Sequence, residues 1–335
     1  MRIRLTHLDG KLPNLALMKL AHYYKSIGAE IYFTRSVHRE LFEKDYDLVL
    51  GSAIFKWSVN AIQSFLIEFP EAVVCGTGTD SLITVEQYIG REEYEHYDYS
   101  IYPYFQDSIG FTQRGCRLKC PFCVVPRKEG KVRGVNTIYN IWRGPPYPKN
   151  VHLLDNDFFG QPFWNERCKE ILEGDFKICL NQGINVRLIH KEGAEALAKI
   201  KYYDDQFKTR RIYTAWDNRK DEKIFIRGIG MLTDAGIRPS HIMVYMLCGY
   251  WPNETFEDVY YRYETMKKLG VLSFPMVYDN SNKLMKHFQR WVIRRFDEVV
   301  SWEDYRQRKM HEIPPQNAIP SLEMMAGGTA LLFQE

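Results

Sequence analysis

Short apolar runs alternate with helix-patterned stretches over residues 3–80, and again over residues 109–280, of this 335-residue chain. Alternation of this kind buries apolar strands beneath crossover helices and demands parallel sheets in an α/β fold. In the first region "IRLTHL" (3–8), "EIYFT" (30–34), "YDLVLGS" (46–52) and "AVVCGTG" (72–78) predict strands. Between them "LPNLALMKLAHYYKSIG" predicts a helix, with Ala16, Leu20, Tyr23, Tyr24 and Ile27 at helical spacing and Gly28 as its C-terminal cap. "SVNAIQSFLIEF" predicts a second helix. Residues 1–90 therefore read as a small Rossmann-like domain. The polar, tyrosine-rich stretch 91–108 reads as a linker.

The second region predicts six strands: 109–113, 151–157, 176–182, 211–217, 241–249 and 273–279. Helical stretches such as "EGAEALAKI" and "TFEDVYYRYETMKKLG" lie between them. This is the pattern of a complete or partial parallel barrel, and the expectation is a partial (β/α)6 TIM-type barrel, in which chemistry sits at the C-terminal ends of the strands. Residues 281–300 predict an amphipathic helix with Leu284, Phe288, Trp291, Val292 and Phe296 on its apolar stripe. Lys283, Lys286, Arg290, Arg294 and Arg295 supply its polar face. The rest of the 281–335 extension, with "IPPQNAIP" and "AGGTALL", reads as loop.

Composition narrows the setting. With 45% apolar and 26% charged residues the chain reads as globular, and a net charge of +3 does not by itself call for a polyanionic partner. The N-terminus lacks an apolar signal core and no run approaches a membrane span, so neither feature is expected. The seven cysteines are odd in number and irregularly spaced, which argues against a disulfide framework and for a reducing, cytoplasmic setting.

Three of those cysteines fall within "GFTQRGCRLKCPFCVVP" (110–126): Cys116, Cys120 and Cys123, separated by three and two residues. They follow the first strand of the second region. Three chemistries use such a set. Structural zinc needs a fourth ligand, and none follows nearby. A thioredoxin-like pair would use "CPFC" and leave Cys116 without a role. An iron–sulfur cluster on three cysteines keeps one iron open for a substrate or cofactor.

The segment Cys116-Arg-Leu-Lys-Cys120-Pro-Phe122-Cys123 resembles the signature of radical S-adenosylmethionine enzymes, with an aromatic residue just before the last cysteine. The resemblance implies a 4Fe-4S cluster whose open iron chelates the amino and carboxylate groups of S-adenosylmethionine. One electron then cleaves the sulfonium to methionine and a 5′-deoxyadenosyl radical, which takes a hydrogen atom from substrate. It implies a one-electron reductant of flavodoxin or ferredoxin type, and it lays Phe122 against the adenine.

The likeness extends over most of 109–280. "LLDNDFFG" (153–160) is similar to an acidic segment of the family, which implies that Asp155, Asn156 and Asp157 help bind the methionine amino group; helix capping is the alternative. In "LNQGINVRL" (180–188), Asn181 and Gln182 would bond the ribose and Arg187 would pair with the methionine carboxylate, with a surface ion pair as the alternative for Arg187. Asp217 in "YTAWDN" would contact cofactor or substrate, or cap a helix. "MLCGYWPNETFED" (246–258) resembles a glycine-containing segment in which Gly249 lets backbone approach the adenine and Thr255 caps the next helix. The family's second glycine is Asn253 here. Cys168, Cys179 and Cys248 read as small buried residues.

Residues 1–90 look like the cobalamin-binding-type domain that precedes many such barrels, which makes cobalamin a further cofactor to test. "VVCGTGTDS" (73–81) matches its glycine turn, whose amides can approach a phosphate or corrin tail; a plain turn is the alternative. The axial-histidine motif Asp-x-His-x-x-Gly is absent, and Cys75 alone cannot complete the second cluster of the related methylthiotransferases.

The expected function is radical S-adenosylmethionine chemistry on an unidentified substrate, ending in methylation, sulfur insertion or a related modification by a methyl- or methylthio-transferase. A cobalamin-dependent methylase is the nearest alternative. An RNA- or partner-binding protein with a structural cluster is the non-enzymatic one, supported by the basic runs "FKTRR" (207–211), "RWVIRRF" (290–296) and "RQRK" (306–309). RNA would also serve as an enzyme's substrate.

Overall fold

Ile3 and Leu5 alternate with Arg4 along β1 (Arg2–His7), so one face of the strand is apolar and the other carries a guanidinium. The apolar face packs on α1 (Leu15–Ser26), which buries Leu17, Met18, Leu20, Ala21 and Tyr24. Asn14 caps this helix: its Oδ1 accepts from Ala16 N at 3.0 Å and Leu17 N at 3.2 Å. Ile27, expected on the buried stripe, falls beyond the helix end and is exposed, because the chain reverses at Gly28. On the opposite face Arg4 is fully buried, pairs with Glu43, and donates to Ser36 O at 2.8 Å and His38 O at 3.1 Å.

The computed structural model describes residues 1–81 and 83–307. Its described residues divide into two compact units, one formed by 1–107 with 118–130 and the other by 108–117 with 131–307. In the first unit β1 is joined by β2 (Glu30–Thr34), β3 (Leu48–Ser52) and β4 (Val73–Cys75) in an all-parallel sheet of order β2-β1-β3-β4. Helices α2 (Val59–Glu68), α3 (Val85–Ile89) and α4 (Val125–Lys128) complete this unit. The stretch read as a linker folds back on it. Lys19 Nζ bonds Glu86 and Glu95, each at 2.7 Å, and Ile101 and Tyr102 join the α1 core. The Tyr102 hydroxyl accepts from Asn14 N at 3.1 Å and lies 3.0 Å from His7 Nδ1.

The second unit opens with β5 (Ser108–Gly110) and a short antiparallel ribbon of β6 (Gln113–Arg114) and β7 (Arg133–Gly134), followed by α5 (Ile138–Ile141). Then come β8 (Asn150–Leu153), α6 (Trp164–Glu173), β9 (Lys177–Leu180), α7 (Lys191–Lys199), β10 (Lys201–Tyr202), β11 (Ile212–Ala215), α8 (Glu222–Asp234), β12 (Ile242–Cys248), α9 (Phe256–Lys268) and β13 (Leu272–Val277). Helices α10 (Lys283–Ile293) and α11 (Trp302–Gln307) follow. Every strand expected in this region overlaps one of β5, β8, β9, β11, β12 and β13.

Those strands do not share one hydrogen-bonded sheet. They form two parallel sheets, β10-β9-β8-β5 and β11-β12-β13. The short β10 takes the edge of β9 at Lys177 and Ile178, where β11 would otherwise pair. Ile184 N donates to Tyr213 O at 2.8 Å and links the segment after β9 to β11. Both faces are buried, as parallel sheets require. Ile178, Leu180, Ile212, Val244 and Met246 belong to the main core with α6–α9, whereas Cys179, Tyr213, Tyr245 and Phe274 line the other face. Along α10 the buried residues are Met285, Phe288, Gln289, Trp291, Val292 and Ile293, while Leu284, expected on the stripe, is exposed. The loop expectations for the tail, and Arg308 and Lys309 of the last basic run, lie outside the described residues.

Asn14 caps α1 and also donates from Nδ2 to Ser52 Oγ at 2.8 Å. Asn14→Ala is expected to lower the unfolding free energy by about 1–2 kcal/mol. Denaturant melts check this as a shifted midpoint with an unchanged slope, and Asn14→Ser, which keeps a cap acceptor, recovers part of the loss.

Candidate functional site

The strand ahead of the cysteines stops at Gly110, three residues short of its expected end, because the next amides turn toward a buried carboxylate. Asp155 Oδ1 accepts from Thr112 N at 2.7 Å and from Gln113 N at 3.1 Å, and Oδ2 takes the Thr112 hydroxyl. Gln161 Nε2 donates to the same hydroxyl at 2.9 Å. Gln113 continues the brace. Its Nε2 donates to Arg114 O at 2.6 Å and Gly115 O at 2.5 Å, and its Oε1 accepts from Asp157 N at 2.9 Å. Gly115, at φ +77°, then turns the chain into Cys116.

Asp157 faces Arg117. Arg117 Nε donates to its Oδ2 at 2.6 Å and the terminal nitrogen to Oδ1 at 3.0 Å. Both acids from the end of β8 thus hold the chain that enters the cysteine loop. Further on, Cys123 N donates to Cys120 O at 3.0 Å and puts those two cysteines on a single turn. All three cysteines are partly exposed, and Phe122 is buried. Cys116 belongs to the second unit, and Cys120, Phe122 and Cys123 to the first.

The remaining expected residues sit at the C-terminal ends of parallel strands in the second unit. Asn156, after β8, is buried. After β9, Asn181 is buried with Oδ1 3.3 Å from His152 Nδ1, and Gln182 is buried with no hydrogen-bond partner for its Oε1 among the described residues. Arg187 lies further along and pairs with Asp221 at 2.8 Å. After β11, Asp217 is buried and accepts from Leu247 N at 3.0 Å; burial raises its pKa to about 6, against the opposing pull of that bond and of Arg262. After β12, Gly249 N donates to Glu254 Oε2 at 2.6 Å.

Arg262 and Glu254 escape a reading of the sequence. Arg262 is fully buried on α9 and donates to Trp216 O at 2.7 Å, Leu247 O at 2.8 Å and Glu254 Oε1 at 2.5 Å. It ties the ends of β11 and β12 together. A mid-helix arginine carries no pattern that sets it apart from a solvated one. Glu254 had a signal, since it stands five residues beyond Gly249 in the glycine-containing segment.

Thiol sulfur suits iron, so Cys116, Cys120 and Cys123 are the residues that could hold a cluster, and Cys120 and Cys123 share one turn. The glycine turn of the first unit does not fit a phosphate or corrin tail. A Cβ on Gly76 would lie 2.0 Å from Ala53 O, and one on Gly78 2.5 Å from Phe55 O. Gly78 N donates to Ala53 O at 3.0 Å, and the Thr77 hydroxyl to Ile54 O at 2.8 Å. These glycines let two loops of the chain meet. No family model matches the chain, and neither a curated protein nor a solved structure does. No helix among the described residues is long and apolar enough to cross a membrane.

Asp155→Ala is expected to strand two buried amides, at a cost of about 1–3 kcal/mol each, read from denaturant melts. A second test follows from Asp217. Its folded pKa is raised from 3.8 to about 6, so the fold penalises its charged form as pH rises through that window. Asp217→Asn keeps the acceptor for Leu247 N, and is expected to exceed wild type in stability by on the order of 1–3 kcal/mol above about pH 7, with the gain fading toward about pH 4.

Proposed function

We propose that this chain is a radical S-adenosylmethionine enzyme, with a Rossmann-like N-terminal domain and a partial barrel assembled from the two parallel sheets of the second unit. The observation that carries the reading is that Cys116, Cys120 and Cys123 fall in the chain between β6 and α4, entered through a segment pinned by the buried Asp155 at the end of β8. The parallel strands put their C-terminal ends, with Asn156, Asn181, Gln182 and Asp217, on the side where α/β enzymes bind ligands.

In this reading the three cysteines hold three irons of a 4Fe-4S cluster. When bound, the cluster and S-adenosylmethionine supply hydrogen-atom abstraction, fed by a flavodoxin- or ferredoxin-type donor. The chain's own residues position and enclose. Asp155 and Gln113 fix the entry to the loop. Asn181 and Gln182 offer amides to the ribose, and the buried Gln182 Oε1 has an acceptor to spare. Arg262 and Glu254 hold the backbone at Gly249 in place for the cofactor. Arg187 already answers Asp221, so a methionine carboxylate would have to share its guanidinium. Methylation, sulfur insertion or a related modification remains the outcome assigned to the substrate.

Anaerobic reconstitution with iron, sulfide and a reductant tests the proposal. Wild-type protein is expected to take up iron and convert S-adenosylmethionine to 5′-deoxyadenosine, and Cys120→Ala to lose both. Loaded protein that releases no 5′-deoxyadenosine, together with unchanged iron in Cys120→Ala, would sink it.

A further inference from the structure

The N-terminal ends of the parallel strands in the second unit carry a row of basic residues that the proposed chemistry does not use. Lys149 directly precedes β8, Lys177 opens β9, Lys201 opens β10, Arg211 directly precedes β11 and His241 directly precedes β12. The register sets Lys201 opposite Lys177, and Lys177 N donates to Lys149 O at 2.8 Å. Lys177 Nζ and the Arg210 guanidinium both lie over the Tyr203 ring, 5.2 and 5.5 Å from its centroid, and Arg210 also covers Tyr202 at 3.8 Å. The Tyr202 hydroxyl is 3.0 Å from His241 Nδ1. Backbone carbonyls hold two of the arginines in place: Arg210 donates to Ile200 O at 3.1 Å and Arg211 to Ser240 O at 2.9 Å. The basic runs that contain Arg211 and Arg295 meet at this rim, since Phe207 and Ile293 share one core cluster.

Like charges crowd along the row. Burial lowers the His241 pKa first, and Arg210, Arg238 and Arg211 lower it further. The acids nearby are largely engaged. Asp175 bonds Lys201 at 2.5 Å, Glu298 pairs with Arg295, and Asp204 accepts from the amides of Gln206, Lys208 and Thr209. Like charges directly opposite on neighbouring strands destabilise a sheet, so pairing does not account for Lys177 facing Lys201.

We propose that this rim is a docking surface for a single strand of RNA, held mainly through its phosphates. Neighbouring strands set successive cations about 5 Å apart, a linear array that suits a linear polyanion better than a globular acidic partner. Arginines fixed by a backbone carbonyl keep donors to spare for the fork geometry that phosphate oxygens accept. Asp175 is exposed, and its carboxylate keeps acceptor sites beyond the Lys201 bond for a 2′-hydroxyl, the group by which a protein tells RNA from DNA. The surface lies at the opposite strand ends from Asn181, Gln182 and Asp217, and the inference does not depend on a metal centre.

The test is fluorescence anisotropy of the full chain with a fluorescein-labelled oligouridylate, titrated at rising potassium chloride. Wild type is expected to bind, with affinity falling as salt rises by a log–log slope of about −0.7 for each phosphate held. Lys149→Gln, Lys177→Gln and Arg210→Gln are each expected to weaken binding several-fold and to flatten the slope by about 0.7. Lys177→Arg keeps the charge and is expected to keep the slope. Lys283→Gln and Lys286→Gln change basic residues in the first turn of α10, at the far end of that helix from Arg295, and are expected to leave binding unchanged. Lys149 is exposed, so its variant reports on binding even if loss of the Arg210 stacking unfolds the chain. Absence of binding at low salt, or an equal loss in the α10 variants, would overturn the proposal. So would equal affinity for the oligodeoxyuridylate of the same length, which would remove RNA as the occupant.

Discussion

A single buried carboxylate, Asp155, joins two neighbouring strand ends. It ends β5 by drawing the amides of Thr112 and Gln113 away from the sheet, and so decides where the cysteine loop begins. The arrangement is favourable because the acceptor, its donors and the Thr112 hydroxyl are buried together, where each bond is worth most and each loss costs most. Gln113 and Asp157 extend the brace to Gly115 and Arg117 without help from any regular element longer than a two-residue strand. Short strands are enough here because side chains, not ladders, hold the chain.

The same device recurs where the sheet ends elsewhere. Arg262, fully buried, gathers the carbonyls of Trp216 and Leu247 and the carboxylate of Glu254, which in turn holds Gly249 N. In the first unit, Arg4 gathers Ser36 O, His38 O and Glu43. A guanidinium taken out of water is costly unless its donors are met, and a loop carbonyl near a sheet has few other partners. Buried arginines thus meet the hydrogen-bonding needs of loops that leave the ends of parallel strands.

The α/β class and the positions of the strands were legible in the sequence because parallel strands buried on both faces leave continuous apolar runs, such as those of β8, β9, β11 and β12. The pairing was not. Nothing in "KYYDDQFKTRR" announces that Lys201 and Tyr202 take the edge of β9 and interrupt a continuous sheet. Helical faces were legible to within a residue or two: Leu284 and Ile27 were placed on buried stripes, but a one-position change in where a helix faces or ends exposes them. In the site, the cysteines stood out because thiols are scarce and spacing is informative. Asp155 and Asp157 stood out as acids at a strand end, but their hydrogen-bond partners, Thr112, Gln113 and Arg117, lie about forty residues away in sequence, a separation that only the register of β5 on β8 closes. The glycine turn at Gly76 and Gly78 shows the converse: a pattern shared by ligand cradles and by close loop packing cannot tell the two apart until the neighbouring carbonyls are in place.

In the proposed function three thiolates would leave one iron of a cluster open for S-adenosylmethionine. Mössbauer spectroscopy of protein reconstituted anaerobically with the Mössbauer-active iron isotope addresses it most directly. Adding S-adenosylmethionine is predicted to shift the signal of a single iron while the others keep theirs. A spectrum that does not change on addition, or one with no cluster signal at all, would contradict the account.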